Sequence, residues 1–592
     1  MLEVNTRGVE AYWHEYAADE WSDALMAAMK LGGVDHLFFV SGTELSFFQE
    51  SAVKAMELGR HSPRLVTMMH EHVAINAALG SAMVTGQPAA SVVHVDVGTL
   101  HYGAGIHSAW RGGYPVLIMG GTSPRAMPGS MRGARDSSIQ WVQEPRDQGE
   151  IVRQYVKMDH RLEYQDNPGY MVSRLLQIAV SEPKGPVYMS VPREMAMLSM
   201  AGSTRFPTRD QLGIARPTWP DPDDAREIAR WLVKSENPVI MTERVGRDAE
   251  AVNELVRLAE LLAIPVADSG LCDRLNFPTT HYLYGTGPRV SEADVMLVFE
   301  HMSPYIPGQD SPAPETKIAW ISQDPVLSRI KTLIHRADLW ISATPAKVAR
   351  AITQAAEGML DAYDLSRIAA RRVRLEQRKQ EIVAREEELA LEAGRASIPT
   401  GRWVGYQLGK LLDPSAIVLN DGLSNGGFVQ TYAHREQHGT YFRSGSSAGG
   451  WGSGAAFGAK IARPDRDVVL ASGDGFFSFG TPDMAIWAAS FHKAPYLSVV
   501  FVNGTYSTGT TTVRNQHPEG YIVRTNNFLG GTFDPPPDYG KLAEAAGGYG
   551  EYVTETAEVG PALKRGLDHV RSGTPAVIAV RVPGPLQEGM AR

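Results

Sequence analysis

The run Ser472-Gly473-Asp474-Gly475 and the turn Asn503-Gly504-Thr505-Tyr506 combine residue types that can hold a hard cation against phosphate. Asp474 offers a carboxylate and Asn503 an amide carbonyl. Oxygen ligands of this kind suit Mg²⁺ better than zinc, and Mg²⁺ normally completes its shell with water and a phosphorylated ligand. Glycines on both sides of Asp474 let backbone N–H groups approach those phosphates. Such chemistry requires a scaffold that brings the two motifs together across the 27 residues between Gly475 and Asn503. Apolar runs at 467–471 (DVVLA) and 498–502 (SVVFV) precede the motifs, and 481–491 reads as a helix. This is a βαβ unit with its strand ends side by side, and open α/β sheets bind ligands outside those carboxyl ends.

The same alternation runs along most of the chain. Strands are expected at 36–40, 90–95, 116–119 and 187–191, then, beyond a Pro-rich boundary at 216–222 (RPTWPDP), at 238–241, 295–299 and 318–321, and finally at 576–580. Residues 361–395 are rich in Arg and Glu with few large apolar side chains on a helical period, which predicts a solvated linker helix. The predicted fold class is α/β, with three doubly wound parallel-sheet domains at 1–200, 215–355 and 398–585 and the charged helical linker at 361–395.

A chain of 592 residues exceeds one hydrophobic core. Its 43% hydrophobic and 21% charged residues call for no large disordered section, and a net charge of -9 argues against a nucleic-acid partner. The single cysteine, Cys272, excludes an internal disulfide framework and a Cys-based zinc or iron–sulfur site, and a reducing cytoplasm is the natural compartment. Residues 1–16 lack the apolar stretch of a signal peptide, and no segment approaches a membrane span, so a soluble cytoplasmic protein is expected. No GxGxxG follows a strand in the central segment, so FAD is not supported by motif. A Rossmann dehydrogenase, suggested by Gly452-Ser453-Gly454, lacks the acidic residue at the required distance.

At this spacing the Gly-Asp-Gly and Asn-Gly-Thr-Tyr elements resemble the cofactor motif of thiamine-diphosphate enzymes. The three α/β segments in this order resemble the acetolactate synthase and benzoylformate decarboxylase (pyruvate decarboxylase-like) group over nearly the full length, with pyrimidine-binding, central and diphosphate-binding domains. The resemblance implies thiamine diphosphate and Mg²⁺ as cofactors. It makes Asp474, the Asn503 side chain and the Thr505 carbonyl the metal ligands, with Val502 where the family usually has a first asparagine. Glu71, in Met69-His70-Glu71-His72 ahead of the helical 73–84 and the turn Thr85-Gly86-Gln87-Pro88, matches the glutamate that hydrogen-bonds the aminopyrimidine. His70 and His72 lack the i, i+4 spacing of a helical metal pair and read as packing or hydrogen-bonding residues.

Twenty-three positions after Glu71, His94 in Val92-Val93-His94-Val95-Asp96-Val97-Gly98-Thr99 matches an active-site histidine of benzoylformate decarboxylase. His101 stands where the family often has asparagine, and Asp96 replaces a small residue. Glu71, His94 and His101 are therefore the expected catalytic residues. For the second histidine of that decarboxylase, His301 is the only candidate at 299–309, and it does not align cleanly. Gly449 and Trp451 resemble the family's contacts to the aminopyrimidine, and Ser424 in 420–425 its phosphate-contacting hydroxyl. Gly473 and Gly475 flank the diphosphate, and Gly42-Thr43-Glu44-Leu45 resembles the first-domain loop that faces substrate.

The implied activity is carbon–carbon bond cleavage or formation next to a carbonyl through an enamine/carbanion intermediate. A 2-oxo acid decarboxylase, an acetolactate synthase-like carboligase and a 2-hydroxyacyl-CoA lyase share every residue named, and His94 leans toward the first two. A non-catalytic cofactor-binding relative is the alternative of another class, and joint retention of Glu71, Asp474 and Asn503 argues against it. The implied partners are a small-molecule 2-oxo acid or 2-hydroxyacyl substrate and further copies of the chain. In the resembling family the first and third domains meet across a subunit interface, which implies a homodimer or homotetramer. FAD, ADP or CoA in the central domain stays open.

Overall fold

A computed structural model describes residues 12–268 and 273–584. Cys272 and the first residues of the N-terminal segment lie outside the described residues. The architecture is three parallel sheets flanked by helices. The first contains β1 (His36–Val40), β2 (Arg64–Met68), β3 (Ala89–Val93), β4 (Val116–Thr122), β5 (Asp159–Arg161) and β6 (Val187–Pro192), in the order β2-β1-β3-β4-β6-β5. The central sheet contains β7 (Pro238–Thr242), β8 (Val266–Asp268), β9 (Val295–Phe299), β10 (Lys317–Ser322) and β11 (Leu339–Ser342), in the order β8-β7-β9-β10-β11. The third contains β12 (Ile417–Asp421), β13 (Tyr441–Phe442), β14 (Val468–Gly473), β15 (Leu497–Val502), β16 (Tyr549–Val553) and β17 (Ala576–Arg581), in the order β13-β12-β14-β15-β17-β16.

Counted within each unit, the first and third sheets share the order 2-1-3-4-6-5, and the central sheet follows the same 2-1-3-4 start. Each therefore reverses direction between its first and third strands, and a crevice opens at the carboxyl ends of those two. In the first sheet Phe39 is level with Val92, so the loop after Val40 faces His94. In the third, Asp421 is level with Ser472, and Gly473 is level with Phe501. That register carries Asp474 to the side of Asn503.

Every residue of β3, β4, β12 and β15 is buried. Parallel strands covered by helices on both faces must be apolar throughout, which is why they read as continuous runs. The expected strand 90–95 is shorter than predicted. It ends at Val93, because Val95 takes a φ of 45°, a left-handed conformation costly for a β-branched residue, and starts a helix. The expected helix 481–491 begins at Pro482, and a separate six-residue helix at Asp474–Phe479 precedes it. An antiparallel pair, His14–Glu20 with Ser199–Phe206, was not legible in the pattern of runs.

The linker is one helix, Ala362–Ala393, but its first half is not fully solvated. Ile368, Arg371 and Leu375 are buried against the central unit. The Arg371 guanidinium donates to the carbonyl oxygens of Ser235, Leu262 and Ala263 at 2.8, 2.5 and 3.1 Å. Carbonyls left over at two helix ends, rather than water, solvate this cation.

The first and third units share a core, which includes Phe38, Ile75, Ile118, Leu419, Phe457 and Val500. Its center is the crossing of α1 (Glu71–Thr85), which follows β2, with Gly452–Ala462, which precedes β14. A Cβ on Gly80 would lie 2.0 Å from the Ala455 carbonyl oxygen, and one on Gly458 1.9 Å from that of Ala77. Only glycine permits this approach, which brings the start of α1 beside the loop 448–451.

Candidate active site

Asp474 is the first residue of its short helix and is 2% exposed. Its Oδ1 accepts the Gly475 N–H at 2.8 Å, and its Oδ2 accepts those of Asn503 and Gly504 at 2.9 and 2.7 Å. Burial pushes its carboxyl above the ordinary range despite those donors. Among the described residues no ion pair neutralises it. A desolvated carboxylate that forms no ion pair among the described residues, with only the more distant charge of Arg581 acting on it, is a fitting position for a divalent cation. Asn503 Oδ1 accepts from the Thr505 N–H and Oγ1, both at 2.9 Å, and its Nδ2 donates to Ser507 Oγ at 3.0 Å. Two of the expected ligands thus stand side by side and Thr505 closes the same turn. Ser424 lies exposed in the turn after β12, ahead of the helix Gly426–Tyr432.

Beside this cradle, Gly449 packs under the Phe476 ring and the buried Trp451 caps the helix Gly452–Ala462. Asp421, at the carboxyl end of β12, holds this loop. Its Oδ2 accepts the N–H groups of Gly450 and Gly452 at 3.0 and 3.1 Å, and the Trp451 indole also donates to it. Burial pushes the Asp421 carboxyl up to about 7. Asp421 was not singled out in the sequence. Its only signal is positional, as the residue opposite the Gly-Asp-Gly strand where the strand order reverses.

In the first unit a seven-residue helix, α2 (Val95–His101), carries a histidine at each end. His94, its N-cap, hydrogen-bonds through Nε2 to Glu44 Oε2. Glu44 is 0% exposed and accepts also from Thr43 Oγ1 at 2.6 Å, Gln140 Nε2 at 2.9 Å and Gln143 Nε2 at 3.2 Å, with Arg193 4.0 Å away. Burial alone would raise its carboxyl, but the hydrogen bonds from His94, Thr43 and Gln140 prevail and hold it at about 2. His94, 27% exposed, presents the outer side of this pair. A Cβ on Gly42 would stand 2.3 Å from the His94 ring, so that position must stay bare. In the sequence Glu44 stands out only as part of the loop 42–45. Its amide partners lie nearly a hundred residues away, in a stretch with no periodic signal.

At the other end of α2, His101 Nδ1 is hydrogen-bonded to Glu71 Oε2 at 3.0 Å. Glu71 opens α1, and His70 caps it by accepting the His72 N–H on Nδ1 at 3.1 Å. His72 Nε2 reaches the Gly450 carbonyl oxygen at 3.0 Å, tying the Glu71 turn to the cofactor-loop candidate. Asp96 sits on α2, where its side chain accepts the adjacent Val97 N–H. His301 does not join this cluster. It is enclosed in the central unit, 3.4 Å from Glu243 Oε2, and burial pushes it down to about 3. A cavity of about 400 Å³ adjoins the third-unit loop, walled by Trp451, Phe476 and Leu423 with His107, Arg111 and Met302.

We expect Glu44→Gln to leave cofactor affinity unchanged and to lower kcat about 10- to 100-fold, the worth of a hydrogen bond to a charged group. Its folded carboxyl is depressed, so the stability it contributes is present above the ordinary carboxylate range near ~4.3 and is lost as pH falls toward about 2. Melting curves of wild type and variant should therefore differ at pH 7 and converge over that acid window.

Comparison with known proteins gives two family matches. "Thiamine pyrophosphate enzyme, N-terminal TPP binding domain" matches residues 19–151, and "Thiamine pyrophosphate enzyme, C-terminal TPP binding domain" matches 422–580. Benzoylformate decarboxylase of Pseudomonas aeruginosa is 27% identical over 75% of this chain and 79% of its own length. A probable acetolactate synthase of Mycobacterium bovis is 26% identical over 93% and 94%. Among solved structures, the thiamine diphosphate-dependent 4-hydroxybenzoylformate decarboxylase of Rhodococcus jostii RHA1 superposes with a TM-score of 0.72 at 19% identity, over 96% of this chain and 100% of that one.

Proposed function

Because this chain belongs to the thiamine-diphosphate-dependent enzymes that make or break a carbon–carbon bond next to a carbonyl, we propose that it is a decarboxylase of 2-oxo acids. The observation that carries this reading is His94 backed by the buried Glu44, an acid–base group supported from inside the protein and partly exposed on its outer side. When bound, thiamine diphosphate supplies the carbon nucleophile and electron sink that loss of CO₂ requires. Asp474, Asn503 and the Thr505 carbonyl would hold Mg²⁺, with Ser424 and the backbone at Gly473 and Gly475 turned to the diphosphate. The Gly449 carbonyl would accept the exocyclic amine, with Trp451 against the rings. Glu71 would exchange a proton with the pyrimidine nitrogen, and His94 would move the proton at the substrate-derived oxygen and carbon.

The active form in this reading is at least a homodimer. Met69, Val97 and Leu100 leave apolar surface exposed around Glu71, as do Phe479 and Tyr506 around Asp474. Apolar surface flanking both halves of one site suits a second copy of the chain. No described helix is long and apolar enough to cross a membrane. A panel of 2-oxo acids and 2-hydroxyacyl-CoA esters, each assayed for CO₂ or aldehyde release with and without an acceptor aldehyde, tests the reading. Release of CO₂ from a 2-oxo acid without acceptor supports decarboxylation. Turnover of acyl-CoA esters alone, or an absolute need for acceptor, overturns it.

A further inference from the structure

Resting on that reading of Glu71, we propose that His101 is a proton outlet for Glu71, relaying protons between solvent and the carboxylate. The two side chains are in direct contact, Nδ1 to Oε2 at 3.0 Å, from the last residue of α2 to the first of α1. Glu71 is 19% exposed and His101 51%, so the carboxylate is largely withdrawn while the imidazole reaches water. No other hydrogen bond to the Glu71 carboxylate is formed by the described side chains, so Oε1 remains for the cofactor ring.

An imidazole can donate to a carboxylate and accept from a carboxylic acid through one nitrogen while exchanging a proton at the other. A proton taken from solvent at Nε2 is matched by one passed from Nδ1 to Glu71 Oε2, and the reverse traffic restores both groups. Uptake takes the pair from one negative charge to neutral, and the reverse transfer returns it to its starting charge while the imidazole stays neutral at both ends of the relay. Asparagine at this position could donate the same hydrogen bond but could not pass the proton.

The neighbouring titratable groups leave this role to the pair. Tyr102 is fully buried, and burial with the nearby Glu71 carboxylate keeps its phenol protonated well above its ordinary range. Burial pushes His72 and His107 down, the first held on the Gly450 carbonyl and the second on the following helix Gly103–Gly112 with Arg111. Asp96 bonds its own helix, and Glu150 is exposed on the short helix packed against α2. His70 alone joins the pair. Its ring stacks on His101 at 5.5 Å and 4°, and a ring nitrogen of His70, a carboxylate oxygen of Glu71 and a ring nitrogen of His101 lie within 4.8 Å of one another.

The test is hydrogen–deuterium exchange at C2 of thiamine diphosphate bound to the Mg²⁺-loaded full-length enzyme, followed against pH. Wild type should exchange far faster than free cofactor. His101→Asn should bind the cofactor as tightly but exchange about 10- to 100-fold more slowly, with an altered pH profile. Added imidazole should restore exchange to His101→Ala in proportion to its concentration. In ¹³C- and ¹⁵N-histidine spectra of the full chain without cofactor, Glu71→Gln should displace the His101 ring resonances, since the carboxylate hydrogen-bonded to Nδ1 is gone. A His101→Asn profile superimposable on wild type overturns the relay, as does slowed exchange that imidazole does not restore. Bound wild-type cofactor exchanging no faster than free cofactor instead overturns the reading of Glu71 itself.

Discussion

Asp474→Ala is expected to abolish retention of thiamine diphosphate. The variant removes a carboxylate that is buried among three backbone donors with no ion-pair partner among the described residues. Losing an outer-shell partner costs metal sites about 10- to 100-fold in affinity, and loss of a direct anionic ligand should exceed about 100-fold. The cavity left behind is small, and the freed N–H groups of Asn503 and Gly504 can take water, so the fold should persist. Cofactor content after gel filtration, with circular dichroism as the check on folding, measures this. A variant that keeps the cofactor with unchanged Mg²⁺ dependence would remove Asp474 from the metal site. Asn503→Ala should act in the same direction but less severely, because a neutral oxygen is lost.

Glu71→Gln should retain the fold and most cofactor binding while turnover falls by about 10²- to 10⁴-fold, the usual worth of a positioned acid–base group. The amide keeps the shape and a hydrogen bond to His101, but it can neither give nor take a proton at the pyrimidine ring. Exchange at C2 of the bound cofactor should fall with turnover. Equal exchange in variant and wild type would assign the proton transfer elsewhere.

The parts of this architecture that could be read from the chain are those encoded locally. The inner parallel strands read as near-continuous apolar runs because both faces are covered, and the Gly-Asp-Gly and Asn-Gly-Thr-Tyr motifs sit at two such strand ends. The overrun at 90–95 has a tertiary cause. Val92-Val93-His94-Val95 is a good strand sequence, and its turn at Val95 goes with packing of Gly98 against Val93 and the pairing of His94 with Glu44. Arg371 looked like one more solvated charge, because the carbonyls that receive it belong to helix ends over a hundred residues away. Glu44 and Asp421 escaped notice as working groups for a related reason. Their significance lies in strand order, which places each beside a crevice that no window of sequence contains.

In the dimer proposed above, Glu71 of one chain and Asp474 of a second copy serve one cofactor. Mixing inactive Glu71→Gln subunits with inactive Asp474→Ala subunits under conditions of proven subunit exchange tests it most directly. Some mixed dimers then carry one site with both residues intact, so partial turnover of the 2-oxo acid substrate should return. No recovery of activity in a mixture that has demonstrably exchanged subunits would contradict a site shared between chains.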